Sequence, residues 1–511
     1  MSNQESDFAG TIPFAQMDPS EFETFVIRLL GLHLDLQGKE LVAQSTDMYD
    51  CVAPHGFDHF SGPVLIEICT SLSKARFSKI TQRFGAFAYK AEVAGAQSRP
   101  ALLIITHSRQ EENKKFRDLI HSYGGKVDQS HVEIWSIEKL DALVKQHPGA
   151  IAIADDLLRI RFKNAKDQAG SWQEKRLEHI ASLSERYSSG QFSLFLGAGV
   201  SASAGMPDWN LLLNTLFLTY LSKETRANDV AAKERTVKLV ERMNDINKHS
   251  ALVTARYLRK GISGTGKDQH AFTRAVRAAL YGLRNKDKPA ASELIKILAR
   301  LCMPRRSGAP VRSVVTYNFD DLFEQQLKAT AIPYKCVYTQ EADVDVDELP
   351  VLHVHGFIPE FDGHAGSEDK SLVFAEEGYH QIYTDAYHWS NLVQLSALRD
   401  STCLMVGLSM ADPNLRRLLE IAKRGVEKHR HYAFMKRVDV EEFAVSKTKD
   451  GERVQLFENR EEVSNFLEEN HALTEVLMQE LGVTVIWYES HDEIPRFLHS
   501  VGGFPESPQA L

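Results

Sequence analysis

The sequence predicts an α/β protein, with a large parallel sheet that carries a helical insertion and a smaller α/β domain before it. Short apolar segments rich in β-branched residues alternate with helical patterns along the chain, as buried parallel strands and their crossover helices do. Polar clusters directly follow several of these segments. The carboxyl ends of parallel strands are where such folds bind ligands, so the clusters are candidate functional residues.

Composition narrows the class of protein. Of the 511 residues, 43% are hydrophobic and 25% are charged, which is typical of a folded globular chain rather than a disordered one. The net charge of −9 excludes a basic surface over the whole molecule. The five cysteines are scattered and form no CxxC pair, which excludes a four-cysteine zinc module and fits the reducing cytoplasm. The sequence contains no run of eighteen apolar residues, so no membrane span is predicted.

The smaller α/β domain is predicted to occupy residues 1–165. It opens with a helix whose apolar residues, from Phe22 to Leu30, recur at helical spacing. Predicted strands and helices then alternate at 64–69, 77–93, 101–106, 132–135 and 137–144. The polar segment 164–171 is a predicted linker.

The larger domain is predicted to occupy residues 166–511. A helix at 172–187 leads into a buried strand at 192–196, and helical patterns dominate an insertion at about 211–301. Further buried strands are predicted at 311–316, 351–354, 371–374, 402–406, 431–435 and 483–488.

A glycine motif follows the first strand of the larger domain. Gly197 and Gly199 allow a tight turn and a close backbone approach to a phosphate, and Ser201 adds a hydroxyl donor. This arrangement indicates a Rossmann-like nucleotide site. Taken alone, the motif is also compatible with a plain strand-to-helix turn.

Three other polar segments each follow a predicted strand. They are Thr316-Tyr-Asn-Phe-Asp, His353-Val-His-Gly and Gly407-Leu-Ser-Met-Ala-Asp-Pro-Asn. Because parallel strands end at one edge of a sheet, we expect these segments to meet the glycine motif there.

Together the four segments resemble the sirtuins. The stretch from Gly197 to Trp209 resembles the sirtuin pattern GAGxSxxxGxPDF, and Thr316–Asp320 is similar to TQNID. His355-Gly356 is similar to the catalytic HG, and Gly407-Leu-Ser is similar to GTS, in the same order along the chain. The resemblance implies a sirtuin-like NAD-binding domain.

Within that group the chain looks most like the sirtuin-like NADases of bacterial antiphage defence. They share its Asp412-Pro-Asn, the segment 371–379 and the terminal strand 485–488. Deacetylases of the family carry the CxxC zinc module that is missing here. Deacetylation therefore remains only a third hypothesis.

The resemblance implies roles for individual residues. Asn318 would hold the attacking water or a ribose hydroxyl, His355 would act as general base, and Asp320 would contact the nicotinamide carboxamide. The other residues implied to bind NAD are Gly197, Ala198, Gly199, Ser201, Gly205, Pro207, Asp208, Thr316, Gly407 and Ser409. Whether ADP-ribose or a cyclic form is released stays open.

The first domain resembles restriction-endonuclease-like domains of the Mrr type. In that family an aspartate and a Glu-x-Lys pair hold a divalent metal such as Mg²⁺, and Asp58 and Glu67 are the matching carboxylates. Cys69 stands where the lysine is expected, and a thiol cannot supply that charge. The domain is therefore predicted to be degenerate, with Mg²⁺ needed only if it is active.

The resemblances lead to two main functional hypotheses. The first is an antiphage effector that hydrolyses NAD on infection, in a homo-oligomer or with a HerA-like ATPase or a phage-derived activator. The alternative is a metal-dependent DNA nuclease whose sirtuin-like domain binds a nucleotide as a regulator. Nucleic acid would bind through the N-terminal domain.

Overall fold

The structure is a computed structural model of the whole chain. It describes residues 14, 17, 19–43, 49–93, 98–122, 131–147, 149–150, 153, 157, 160, 172–224, 251–263, 270–305, 310–341, 343–361, 372–385, 387–423, 430–447 and 453–504. The predicted linker at 164–171 and Ser371 lie outside this set. Two compact units emerge, Met1–Gln168 and Ala169–Arg424 with His429–Leu511, and each is described by itself.

The first unit is built on a five-stranded sheet in the order β1-β2-β3-β4-β5. Its strands are β1 (Val42–Ala43), β2 (Cys51–Ala53), β3 (Val64–Cys69), β4 (Ala101–Thr106) and β5 (Val132–Trp135). The first three pair antiparallel, whereas β3, β4 and β5 run parallel. Its helices are α1 (Pro19–Asp35), α2 (Lys74–Val93), α3 (Gln110–Ser122) and α4 (Ile137–Gln146).

Strand β3 separates two apolar cores because its side chains alternate between the faces of the sheet. Ile66 and Ile68 pack in the core that contains the apolar face of α1. Leu65 and Cys69 pack in the core that contains the buried residues of α2. Glu67 shares the parity of Leu65 and Cys69, so it lies on the α2 side.

The second unit is built on a seven-stranded sheet in the order β14-β11-β10-β6-β7-β9-β8, with all of its pairs parallel. Its strands are β6 (Phe192–Leu196), β7 (Val311–Thr316), β8 (Tyr334–Val337), β9 (Leu349–His353), β10 (Thr402–Val406), β11 (His431–Lys436) and β14 (Val483–Tyr488). A separate hairpin joins β12 (Val445–Lys447) to β13 (Arg453–Gln455). The predicted fold class, a parallel α/β sheet after a smaller α/β sheet, is confirmed.

Helices cover this sheet, and those between β6 and β7 include the predicted insertion. Helix α5 (Trp172–Ser188) precedes β6. The described helices between β6 and β7 are α6 (Ala198–Ser203), α7 (Trp209–Glu224), α8 (Ala251–Ser263), α9 (Ala271–Gly282) and α10 (Glu293–Leu301). After β7 follow α11 (Leu322–Ala329), α12 (Glu376–Thr384), α13 (Trp389–Asp400), α14 (Pro413–Lys423), α15 (Val440–Ala444), α16 (Arg460–Glu480) and α17 (Glu493–Gly502).

One strand predicted from the sequence is wrong, and one strand of the seven-stranded sheet was not predicted. The segment predicted as a strand at 371–374 forms, over its described residues, a turn before α12. Its apolar side chains are buried in the core beside the sheet, so burial rather than strand pairing accounts for the pattern. Strand β8 was missed because only its last residue is buried, as befits an edge strand.

Strand β6 lies at the point where the order of the strands in the sheet reverses. The chain passes from β6 to β7 on one side, and β10 lies on the other side of β6. Such a switch point leaves a crevice at the carboxyl ends of the two strands, where doubly wound sheets bind ligands. The loops after β6 and β10 border this crevice.

Candidate active site

The loops after β6 and β10 pack backbone against backbone. The amide of Gly199 donates to the carbonyl oxygen of Gly407 at 2.9 Å, and the amide of Gly197 donates to Val406 at 2.9 Å. A Cβ on Gly199 would lie 2.7 Å from Cα of Gly407. Gly407 has a φ of +69°, and a Cβ there would lie 2.6 Å from the amide nitrogen of Val200. Both glycines are therefore required by the fold at this point.

Asn318 is held by its amide group beside the glycine loop. Its Nδ2 donates to the carbonyl oxygen of Gly197 at 3.0 Å and to Oγ of Ser201 at 2.9 Å. A carbonyl only accepts, so the amide nitrogen must face Gly197 and the orientation of the side chain is fixed. Its oxygen Oδ1 is thereby turned away from these two partners. It can accept a hydrogen bond from a hydroxyl group or a water.

Ser201 connects Asn318 to a buried carboxylate. Ser201 is 5% exposed and hydrogen-bonds to Asp320, whose Oδ1 also accepts from the amide of Leu322 at 3.2 Å. Burial raises the pKa of Asp320 to about 6, although the bond from Ser201 lowers it; the nearby carboxylate of Glu324 raises it further. The serine hydroxyl is engaged inside the protein, so its implied contact with phosphate stays a prediction.

His355 lies among aromatic rings at the same edge of the sheet. The ring of Tyr317 meets it edge-on at 4.9 Å between centroids, and Tyr379 does so at 5.7 Å. Its Nε2 is 3.7 Å from Oδ2 of Asp412, which accepts a hydrogen bond from the hydroxyl of Tyr379 at 2.7 Å. Burial lowers the pKa of His355 below its usual value, and the charge of Asp412 opposes the shift.

Sequence reasoning missed the residues that surround His355. Asp412 does cap α14 by accepting the amide of Leu415 at 2.7 Å, as its sequence context indicates. Its other oxygen, however, faces His355 and Tyr379. The signal available was the position of Tyr317 and Asp412 inside the two motifs, whereas nothing local links Tyr379 to His355.

Several other predicted residues take part in local structure. Thr316 is buried at the end of β7 and its Oγ1 accepts the amide of Asn318 at 3.1 Å. Asp208 caps α7 by accepting the amide of Leu211 at 2.8 Å. Pro207 is half-buried, whereas Ala198 and Ser409 are exposed. Their implied contacts with NAD remain predictions.

The turn of α6 is bonded to the helical insertion. Gly205, with a φ of +90°, accepts the amide of Asn285 at 2.8 Å. The side chain of Arg284 donates to the carbonyl oxygen of Ala204 at 3.0 Å, and the hydroxyls of Ser203 and Ser292 lie 2.7 Å apart.

Asp320→Asn is expected to stabilise the second unit at pH 8. In the wild type, the folded-state pKa of about 6 exceeds the ordinary 3.8, so folding stability falls as pH rises through this interval. The asparagine removes that cost, for a gain of at most about 2–3 kcal/mol at pH 8. Thermal unfolding at pH 8 and pH 4 checks this, because the difference should disappear at pH 4. Exposed Asp347→Asn is the control, and an equal effect in both variants contradicts the prediction.

In the first unit, the two predicted metal-binding carboxylates have separate partners. Asp58, with a φ of +48°, bonds through Oδ1 to His33 of α1 at 2.9 Å. Glu67, on the α2 side, pairs with Arg83 at 3.2 Å and Arg76 at 3.6 Å. The structure therefore does not bring Asp58 and Glu67 together. The carboxylate of Asp50 accepts the amide of Ile68, the residue after Glu67, at 2.6 Å.

Incubation of the protein with Mg²⁺ and duplex DNA is expected to give no cleavage. Two arginines neutralise Glu67, and Cys69 is a buried thiol in place of a lysine. Gel analysis of plasmid and linear DNA measures this. Cleavage that requires Mg²⁺ and is lost in Asp58→Ala would show an active nuclease instead.

The family comparison concerns the second unit. A family profile described as "SIR2-like domain" matches residues 312–461, a range that contains Asn318, His355 and Ser409. The NAD(+) hydrolase ThsA from Enterococcus faecium is 26% identical over 274 residues, which are 52% of this chain and 48% of the relative. The chain thus spans about half the length of this curated relative. Among the described residues, no helix is long and apolar enough to cross a membrane.

Proposed function

We propose that the protein hydrolyses NAD by cleaving the bond between nicotinamide and ribose. The observation that carries the proposal is that, at the carboxyl edge of one sheet, the oriented amide of Asn318 lies beside the glycine loop and the ring of His355 packs against Tyr317, the residue before Asn318. The SIR2-like match and the similarity to a protein named NAD(+) hydrolase support it.

The proposed reaction needs little from the enzyme beyond orientation and proton transfer. Nicotinamide leaves with the electrons of the carbon–nitrogen bond, and the oxygen of water bonds to the ribose carbon. Oδ1 of Asn318 accepts a hydrogen bond from that water or from a ribose hydroxyl. His355 accepts the proton, so the products are nicotinamide, ADP-ribose and a proton. If a ribose hydroxyl of the same molecule attacks in place of water, the product is cyclic instead.

The remaining residues of the site bind the substrate in this proposal. Asp320 meets the nicotinamide carboxamide, the loop at Gly197 approaches the phosphates, and Ser409 contacts the adenosine ribose. NAD is thus a substrate rather than a retained cofactor. The side chains of Tyr317 and Tyr379 enclose His355 and limit the access of bulk water to it.

The biological role that we propose is that of an antiphage effector, which depletes NAD in the infected cell. Idle protein must then be restrained, and a homo-oligomer, a HerA-like ATPase or a phage-derived component would supply the control. This part rests on the resemblance to defence NADases that Asp412-Pro-Asn, the segment 371–379 and the terminal strand 485–488 carry. The nuclease alternative is not favoured, since the arginines on Glu67 occupy the carboxylate that a metal would need.

The experiment follows NAD and nicotinamide in bacteria that express the full chain, before and after infection with a panel of phages. We expect NAD loss and nicotinamide release on infection with the phages that the protein restricts, and chromatography identifies the second product. Cells that express the Asn318→Ala, His355→Ala double variant are the control. Restriction of a phage with NAD unchanged from that control would refute the proposal. NAD bound but not consumed by the purified protein would favour a regulatory nucleotide site.

A further inference from the structure

Three side chains with metal-binding chemistry lie together behind the candidate active site. Glu324 belongs to α11, Cys336 to β8 and His353 to the end of β9, and their ligand atoms all lie within 4.8 Å of one another. Cys336 pairs with Val351 in the sheet. His353 follows two residues later in the strand, so Cys336 and His353 share one face. A carboxylate, a thiol and an imidazole therefore converge from three elements.

The ring of His353 is oriented by the backbone. Its Nδ1 is 3.1 Å from the carbonyl oxygen of Asn318, and a carbonyl only accepts, so Nδ1 carries a hydrogen. Nε2 points at Oε1 of Glu324 at 2.6 Å. Both of these atoms have lone pairs, so a proton or a metal cation must lie between them. A histidine whose other nitrogen donates to a backbone carbonyl is the usual arrangement of a metal ligand.

The carboxylate of Glu324 has capacity for a further partner. The side chain is 3% exposed, and Oε2 has no hydrogen-bond partner among the described residues. Two more buried carboxylates, Asp320 and Asp321, lie within the same short stretch of chain. In the part of the chain that the structure describes, none of the three pairs with a lysine or an arginine. Several buried carboxylates without a lysine or an arginine beside them are costly, and a bound cation offsets part of that cost.

We propose that Glu324, Cys336 and His353 bind one zinc ion. Zinc bonds of about 2.0–2.3 Å place tetrahedral ligand atoms about 3.3–3.7 Å apart, which is within the span of this cluster. The pair formed by Nε2 and Oε1 opens by less than about 1 Å as zinc replaces the shared proton, and Cys336 loses its proton to solvent. The mixed nitrogen, sulfur and oxygen set suits zinc rather than magnesium or calcium.

This site differs from the four-cysteine zinc module that the sequence lacks. Three protein ligands leave the fourth position to water on the side of Cys336, which is partly exposed. The ion would join α11, β8 and β9 in one place. Through the bond from His353 to Asn318 it would also fix the backbone of the loop that carries the candidate catalytic amide.

The test uses the full chain without a histidine tag, first treated with a chelator and then given one equivalent of zinc chloride. After dialysis, elemental analysis is expected to find about one zinc per chain in the wild type and background levels in Cys336→Ser and His353→Ala. Exposed His491→Ala is the matched control and should retain zinc. Cobalt in place of zinc should give thiolate-to-metal absorption in the wild type that Cys336→Ser abolishes.

The outcome does not depend on NAD hydrolysis, so this proposal and the proposed function can fail separately. If Cys336→Ser or His353→Ala does not fold, Glu324→Gln replaces them, because glutamine keeps the size and a hydrogen-bonding oxygen. Thermal unfolding should show a rise in Tm with zinc in the wild type and none in Glu324→Gln. Background zinc in the wild type, or equal zinc in wild type and folded variants, overturns the proposal.

Discussion

Replacing Asn318 with alanine is expected to lower the rate of nicotinamide release from NAD by at least about a hundredfold, and His355→Ala by about a hundredfold to ten-thousandfold. Asn318→Ala removes the oriented oxygen that would hold the nucleophile. His355→Ala removes the proton acceptor. Rates measured on the activated protein, or NAD levels in infected cells, give both effects.

The folds of both variants are expected to survive, since each side chain makes few stabilising contacts. Asn318→Ala loses two hydrogen bonds, worth about 1 kcal/mol each. The ring of His355 contacts two tyrosines, and its Nε2 lies 3.7 Å from Oδ2 of Asp412, which is beyond hydrogen-bond distance. Exposed His491→Ala is the control for a histidine outside the site. Hydrolysis at the wild-type rate by either site variant would remove the catalytic assignment.

Gly407→Ala is expected to destabilise the second unit by about 3 kcal/mol or more and to abolish nucleotide binding. Its φ of +69° is unfavourable for alanine, and the new Cβ would lie 2.6 Å from a backbone nitrogen of the glycine loop. Because that neighbour is backbone, no side-chain rotation relieves the clash. Thermal unfolding and titration with NAD measure the two effects.

Variants at two other glycines separate the two expected causes of this loss, which are backbone strain and the close approach of the new Cβ. Gly503 also has a positive φ, +63°, but a Cβ there meets nothing within 4 Å, so Gly503→Ala measures backbone strain alone. Gly282 ends helix α9 in open space without a positive φ, so Gly282→Ala should be neutral or slightly stabilising. Equal losses in Gly407→Ala and Gly503→Ala would mean that the close approach contributes nothing.

The elements that could be predicted from sequence are those with a strong local pattern. The buried strand at 192–196 and the glycine turn after it carry their signal within a dozen residues. Strand β8 could not be found in this way, because an edge strand needs only one buried side. The apolar segment at 372–374 was misread because burial in a turn and burial in a strand leave the same short pattern.

Some features of the candidate site could likewise be predicted from the sequence, and others could not. The order of the motifs indicated that Asn318 and His355 belong together, and the parallel sheet brings them to one edge. The direction of a hydroxyl group could not be inferred, and Ser201 bonds to Asp320 inside the protein. The contact of Tyr379 with Asp412 joins segments 33 positions apart and has no local signature.

The bonds between α6 and residues 284–292 have a mechanical consequence. The turn that borders the nucleotide crevice is fastened to the insertion through the backbone at Gly205, through Arg284 and through the two serines. A displacement of residues 284–292 therefore also moves the turn after α6, which borders the crevice. A partner that binds or displaces the insertion can therefore alter the position of the loop at which the substrate would bind.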